Sequence, residues 1–195
     1  MSHSLLLVCD MINDLVHEDG ANGKSGYGVE IARRHTIAHA AEAIAGARTA
    51  GVPIAYVRVG FSADYRECPP NSQVFQGAKK AGLFTLGSWG TDVHPQLAPQ
   101  SGDFDVVKHR VSPFYATSLP AILGALQVRH LYVFGVSTSG AVLSAVKDAH
   151  DRDLRVTVIE DACCAISEAQ HNAVLEQMNR IASITTSASV TYDMQ

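Results

Sequence analysis

Short, continuous apolar runs alternate along this chain with longer stretches in which apolar residues return at helical spacing. Residues 4–9 (Ser-Leu-Leu-Leu-Val-Cys) form such a run and lead straight into Asp10. A strand that is apolar on both of its faces belongs in the middle of a parallel sheet, covered above and below. Residues 53–59 (Pro-Ile-Ala-Tyr-Val-Arg-Val), 103–108, 131–134 and 155–159 give four more strands, and a last short one falls within 182–192. Between the first two strands, Ile31, Ile37, Ala40, Ala41 and Ile44 are grouped as the face of one helix over about 29–50, stopped by Gly51. Strand, helix and strand in that order require a right-handed parallel crossover.

The later part of the chain repeats the alternation. Ser118-Leu119-Pro120 reads as a cap followed by a first-turn proline, opening a helix to about 127. Val142, Val146 and Ala149 share one face of a helix that ends near 152. Ser167-Glu168-Ala169-Gln170 fits a capping box at the start of a helix to about 180. With no internal repeat or linker, this order predicts a single domain over 1–195, a three-layer α/β/α sandwich. Only 60–102 breaks the pattern: Gly, Pro, Asn and Ser are interleaved there with Phe61, Tyr65, Phe75, Phe84 and Trp89. A stretch so long without clear elements is a functional cover or holds short helices, and a substrate-covering region with aromatic residues packed inward is expected.

Composition narrows the function classes. The chain is 47% hydrophobic and 17% charged, which suits one globular domain with a full-sized core. A net charge of −4 gives no electrostatic reason to bind nucleic acid or an anionic membrane. No apolar run approaches the roughly 18 residues that span a bilayer. The first residues lack the basic and apolar regions of a signal peptide, so a cytoplasmic protein is expected. The nine histidines show no zinc spacing, and Cys9, Cys68, Cys163 and Cys164 form no CxxC pair. They read as buried reduced thiols, and neither a metal nor a cofactor is expected.

Three features at strand C-termini carry chemistry: Asp10, Lys108 and the turn 135–141 (Gly-Val-Ser-Thr-Ser-Gly-Ala). In open parallel sheets ligands bind beyond these ends, where the strand order reverses. Small residues in a strand-to-helix turn leave the N–H groups of the first helical turn free to face an anion or a developing negative charge. An acid, its partner and such a pocket suffice for hydrolysis. A lysine ammonium keeps a neighbouring carboxylate charged, whereas burial pushes it towards protonation. Ser137, Thr138 and Ser139 read most simply as capping residues, and Ser139 has no recognisable base beside it to make it a nucleophile. Phe61, Trp89, His109, Phe114 and Tyr115, with Phe84, are the candidate pocket walls. His94 and His130 read as ordinary loop and strand-edge residues.

Three segments together resemble a known family. They are Leu-Leu-Leu-Val-Cys-Asp10-Met-Ile-Asn-Asp14, then Val-Val-Lys108-His-Arg-Val-Ser-Pro-Phe114-Tyr-Ala-Thr117-Ser-Leu119. The third is Gly135-Val-Ser-Thr138-Ser-Gly-Ala141-Val142, followed by Asp148-Ala149 and Glu160-Asp161-Ala162. Their order and spacing resemble the isochorismatase-like hydrolases, which include nicotinamidases, carbamoylsarcosine amidohydrolases and isochorismatases. The resemblance implies a six-stranded, mainly parallel sheet, a small-molecule substrate and a homodimer or homotetramer. It carries an Asp-Lys-Cys triad onto Asp10, Lys108 and the position of Ala141. It also implies a non-proline cis peptide between Val136 and Ser137, with the N–H groups of Ser137 and Ala141 forming an oxyanion pocket.

The departures from that pattern redirect the chemistry. Ala141 stands where the amidase branch has its nucleophilic Cys, so thiolate catalysis at that position is impossible as written. The isochorismatase branch also lacks this Cys; there the Asp is thought to protonate a vinyl ether. Ile12 and Leu15 replace a common Gln and Phe, and Phe61-Ser-Ala-Asp-Tyr-Arg66 stands where nicotinamidases have a metal-binding histidine motif. Three readings follow: an acid–base hydrolase using Asp10 and Lys108, a cysteine amidase whose nucleophile is replaced by Ala141, or a non-catalytic ligand-binding relative.

Overall fold

Six parallel strands carry the chain, and the order in which they lie decides where a ligand is held. The computed structural model describes residues 3–193. Its strands are β1 (Ser4–Cys9), β2 (Ile54–Val59), β3 (Phe104–Lys108), β4 (His130–Gly135), β5 (Arg155–Ile159) and β6 (Ser183–Thr185). They form one sheet in the order β3-β2-β1-β4-β5-β6, with every neighbouring pair parallel. Every residue of β1 and of β4 is buried, so both faces of the sheet centre are covered, as their unbroken apolar runs require. The covering helices are α1 (Asn13–Val16), α2 (Gly26–Arg33), α3 (Thr36–Thr49), α4 (Gln73–Lys80), α5 (Leu119–Ala125), α6 (Leu143–His150) and α7 (Glu168–Met178). The expected α/β/α sandwich is therefore the observed class. Among the described residues no helix is long and apolar enough to cross a membrane.

The chain builds outward from β1 to one edge and then from β4 to the other, so the order reverses between these two central strands. Register completes the arrangement. Cys9 lies opposite Val57 on one side and Gly135 on the other, and Val59 lies opposite Lys108. Asp10, Lys108 and Val136 thus leave the sheet at the same edge.

The predicted single helix over 29–50 is two helices. Ser25 caps α2 by accepting the Tyr27 N–H, and His35 turns the chain through a left-handed conformation before α3. Ile31 and Ile37 are six residues apart, which is no helical return, and both still reach the core. Arg34, in the break, reaches the carbonyls of Glu160 and Cys163 and so ties this corner to the end of β5. The expected cap at Ser118 also fails. Ser118 is helical with no side-chain cap bond, and the Thr117 hydroxyl accepts the Leu119 N–H instead. Ser167 does cap α7, but the Gln170 side chain accepts from Ser139 and Ile166 rather than from Ser167.

The segment without periodicity holds α4 and two short 3₁₀ turns, Trp89–Thr91 and Pro95–Leu97. Its apolar residues make a core of their own, in which Phe61, Tyr65, Phe75, Ala78 and Phe84 gather around Ile12 and Val59. The buried Asp14 carboxylate accepts the Phe84 N–H at 2.9 Å and fastens this cover to α1. Gly90 lies against the same carboxylate, where a Cβ would overlap it.

After β4 the chain enters a π-helical turn, Thr138–Val142, and then α6, whose Val142, Val146 and Ala149 face is wholly buried as the spacing predicts. The Val136–Ser137 peptide is cis. Gly135 sits at a φ of 137°, and a Cβ there would overlap the Cys9 carbonyl oxygen, which accepts the Val136 N–H at 3.0 Å. Gly135→Ala is expected to destabilise the protein by more than the about 1–3 kcal/mol of a strained backbone alone, because it also forces β1 and β4 apart. Chemical denaturation checks this; an unchanged midpoint would refute it.

Candidate active site

Asp10 follows β1 in a left-handed conformation, which turns its carboxylate across the end of β2. One carboxylate oxygen accepts the Val59 N–H at 2.7 Å, and the other meets the Lys108 ammonium at 2.8 Å. Lys108 also donates to the Arg110 carbonyl at 3.1 Å. Both side chains are almost wholly buried. Burial pushes the Asp10 carboxyl above its ordinary range, and the ammonium and the Val59 N–H pull it back only in part. Asp10 is therefore closer to taking up a proton than an exposed aspartate.

The turn that carries Ser137 and Ala141 is braced from behind. The Thr138 N–H donates to the Cys164 carbonyl at 2.8 Å, and the Tyr27 hydroxyl donates to the same oxygen at 3.1 Å. Thr138 Oγ1 lies 2.9 Å from Nδ1 of His171 on α7, whose Nε2 lies 3.2 Å from Glu160. An ionised carboxylate only accepts, so Nε2 donates to Glu160, and in the neutral ring Nδ1 then accepts from the Thr138 hydroxyl. The His171 bond, with help from Arg34 at 2.7 Å, holds the Glu160 carboxyl below its usual range, which keeps that chain of bonds in one direction.

Asp10, Lys108, Ser137 and Ala141 all line one cavity of about 230 Å³. That is below the roughly 300–1,000 Å³ typical of drug-sized ligands, so its occupant is small. The remaining wall comes from Leu15, Asn22, Tyr27, Val59, Val74, Phe75, Phe84, Val111, Val136 and Gly140. Of these, the inward packing expected of the 60–102 aromatics marks only Phe84 and Phe75. Asn22 comes from the turn before α2, Tyr27 from the first turn of α2 and Val74 from α4, where no local signal distinguishes them.

The other five candidate wall residues lie elsewhere. Phe61 is fully buried behind the wall, stacked on Tyr65 and edge-on to Phe75. His109 follows Lys108 directly, and successive residues of an extended chain face opposite ways. Its Nδ1 donates to the Gly60 carbonyl at 2.6 Å, and it lines a separate depression with Glu67, Arg110 and Tyr115. Tyr115 itself is exposed. Phe114 is in the main core, under the Arg152 guanidinium. Trp89 is half exposed and meets the edge of His17.

No cysteine lines the cavity. Burial pushes the Cys163 thiol up to about 12 and the Cys164 thiol up to about 11, and raises Cys9 as well, so these three are poor nucleophiles.

Known proteins share this arrangement. The family model described as the isochorismatase domain matches residues 4–189. The ureidoacrylate amidohydrolase RutB of Variovorax paradoxus is 33% identical over 173 residues, covering 83% of this chain and 68% of that protein. Its counterpart from Agrobacterium fabrum is 31% identical, covering 83% and 75%. Among solved structures, an isochorismatase family protein from Desulfovibrio vulgaris shares the fold with a TM-score of 0.85 at 24% identity, over 97% and 96% of the two chains. The N-carbamoylsarcosine amidase of Thermoplasma acidophilum superposes with a TM-score of 0.76 at 26% identity, over 97% and 99%. Sheet order, domain match and relatives agree: the chain belongs to the isochorismatase-like family and is a hydrolase.

Proposed function

We propose that this hydrolase cleaves a small ether- or amide-type substrate by acid–base chemistry of Asp10 and Lys108, without a covalent thiol intermediate. The observation that carries this reading is the buried Asp10–Lys108 pair opening onto the same cavity as Ala141, where a methyl group occupies the nucleophile's position. Asp10 in its protonated form, which burial favours, delivers the proton to the reacting bond. For a vinyl ether the proton goes to the terminal carbon, water adds to the carbon bearing oxygen and returns one proton to Asp10, and the hemiketal then breaks its C–O bond, its hydroxyl proton passing to the departing alcohol oxygen as the carbonyl forms. For an amide, ionised Asp10 takes a proton from the attacking water and passes it to the departing nitrogen. Lys108 stays hydrogen-bonded to the carboxylate and steadies it. The N–H groups of Ser137 and Ala141 supply donors to the oxygen that gains charge.

A second reading has one observation in its favour: the relatives are named amidohydrolases and an amidase. There the chain is a cysteine-type amidase with alanine at the nucleophile's position. The bond types to test are therefore vinyl ethers and small amides.

With any substrate that is turned over, Asp10→Asn is expected to lower kcat/KM by about 10²–10⁴-fold. Unchanged turnover would overturn the acid–base reading. On a vinyl ether the working form is the protonated acid, so kcat/KM falls as pH rises through the Asp10 pKa, which lies above the ordinary aspartate value. Lys108→Met removes the ammonium that opposes burial, and the falling limb is expected to move to higher pH by about one unit or more; a limb that stays in place belongs to another group. Ala141→Cys is expected to leave the amide panel without an acyl-enzyme burst. A burst matching one acyl group per protein, abolished by a thiol alkylating agent, would establish the second reading instead.

A further inference from the structure

We propose that the substrate is a small uncharged amide, with an apolar body and a single carbonyl oxygen, and that a carboxylate on the substrate is selected against. This rests on the reading of Asp10 and Lys108 as the reacting pair, and it names the chemical class that pair acts on.

The argument is an account of charge. Among the described residues, Asp10 and Lys108 are the only charged side chains lining the cavity, and in the ionised form of Asp10 that amide cleavage uses the two neutralise each other at 2.8 Å. An ammonium has three N–H donors. One of those on Lys108 is directed to Asp10 and one to the Arg110 carbonyl, which leaves one. A substrate carboxylate would have to share that single cation with Asp10, placing two anions on one ammonium in a buried site. The Tyr27 hydroxyl gives its proton to the Cys164 carbonyl and is not a free donor. Arg110, the arginine next along from Lys108, is turned away, its guanidinium held by the carbonyls of Glu67 and His109.

The rest of the wall carries no charge: Asn22, Tyr27 and Ser137 are its neutral polar side chains, and the others are apolar or backbone. Leu15, Val59, Val74, Phe75, Phe84 and Val111 surround the space, and two of them, Val74 and Val111, are 62% and 42% exposed. These two valines place apolar surface at the rim of the cavity. Moving a carboxylate from water into such walls without a pairing cation is unfavourable, whereas an amide or ether of the same shape loses far less hydration. The relatives named for ureidoacrylate and N-carbamoylsarcosine are named for molecules that carry a carboxylate; among the described residues this cavity has no cation besides Lys108, already paired with Asp10, to receive one.

Matched pairs test the inference on the intact protein. Benzamide against benzoate, and isovaleramide against isovalerate, differ mainly in charge at about pH 8, where both acids are ionised. Calorimetric titration is expected to show each amide binding at least about tenfold more tightly than its carboxylate. Val74→Arg, placed at the exposed rim where the new side chain is tolerated, is expected to narrow or reverse that ratio. Equal or tighter binding of the carboxylates to the unaltered protein would overturn the inference. So would failure of both amides to bind at millimolar concentration, or a ratio unmoved by Val74→Arg. Binding is read without turnover, so the two layers separate. Turnover surviving in Asp10→Asn alongside an amide preference removes the acid–base reading and leaves this inference standing. Asp10-dependent turnover of carboxylate substrates does the reverse.

Discussion

A lysine and an aspartate held in contact almost without water set the terms for the rest of this structure. Each would be costly to bury alone, and a buried pair is sustained only when its remaining hydrogen-bonding capacity is met. Here the sheet meets it: the Val59 N–H takes the second oxygen of Asp10, and the Arg110 carbonyl takes a second proton of Lys108. Those partners exist because β2 lies between β1 and β3 in a fixed register. The pair is thus a product of strand order, and any shift of β3 by one residue would turn Lys108 to the opposite face.

The wall facing the pair is made differently. It depends on a turn rather than a strand, and the turn is held by side chains far away in sequence: His171 on α7, Glu160 after β5 and Tyr27 on α2. The reacting groups are placed by backbone pairing, while the surface that would meet the substrate oxygen is placed by a buried polar chain. Such chains are directional, since one carboxylate fixes the tautomer of the imidazole and thereby the donor role of the hydroxyl beyond it.

This division explains what was legible in the residues alone. The unbroken apolar run ending on Asp10 announced the sheet, because a strand buried on both faces has an unmistakable composition, while Lys108 stood out as the charged end of a short mixed strand. The turn after β4 announced itself by its small and hydroxylated residues. The break at His35 was not legible from an apolar count, although the six-residue gap between Ile31 and Ile37 contained it. The cavity wall was the least legible part. His109, Phe114 and Tyr115 follow Lys108 directly, yet they scatter to a surface depression, the main core and solvent. Tyr27 and Asn22, far away along the chain, reach the cavity instead. Proximity in sequence predicts proximity in space only within one element, and 60–102 holds several short ones.

That segment has a further consequence. Its aromatic residues Phe61, Tyr65, Phe75 and Phe84 form a core separate from the one beneath the sheet, with Leu15 packed against both, and it is fastened by Asp14 to the Phe84 backbone. Two cores with so narrow a seam can diverge independently. Residues of the smaller one are free to change size and shape together without disturbing the strand register that places Asp10 and Lys108. The fold can therefore keep one catalytic base plate while exchanging the cover above it, so that new substrates are reached by replacing a cassette of about forty residues rather than by rebuilding the sheet.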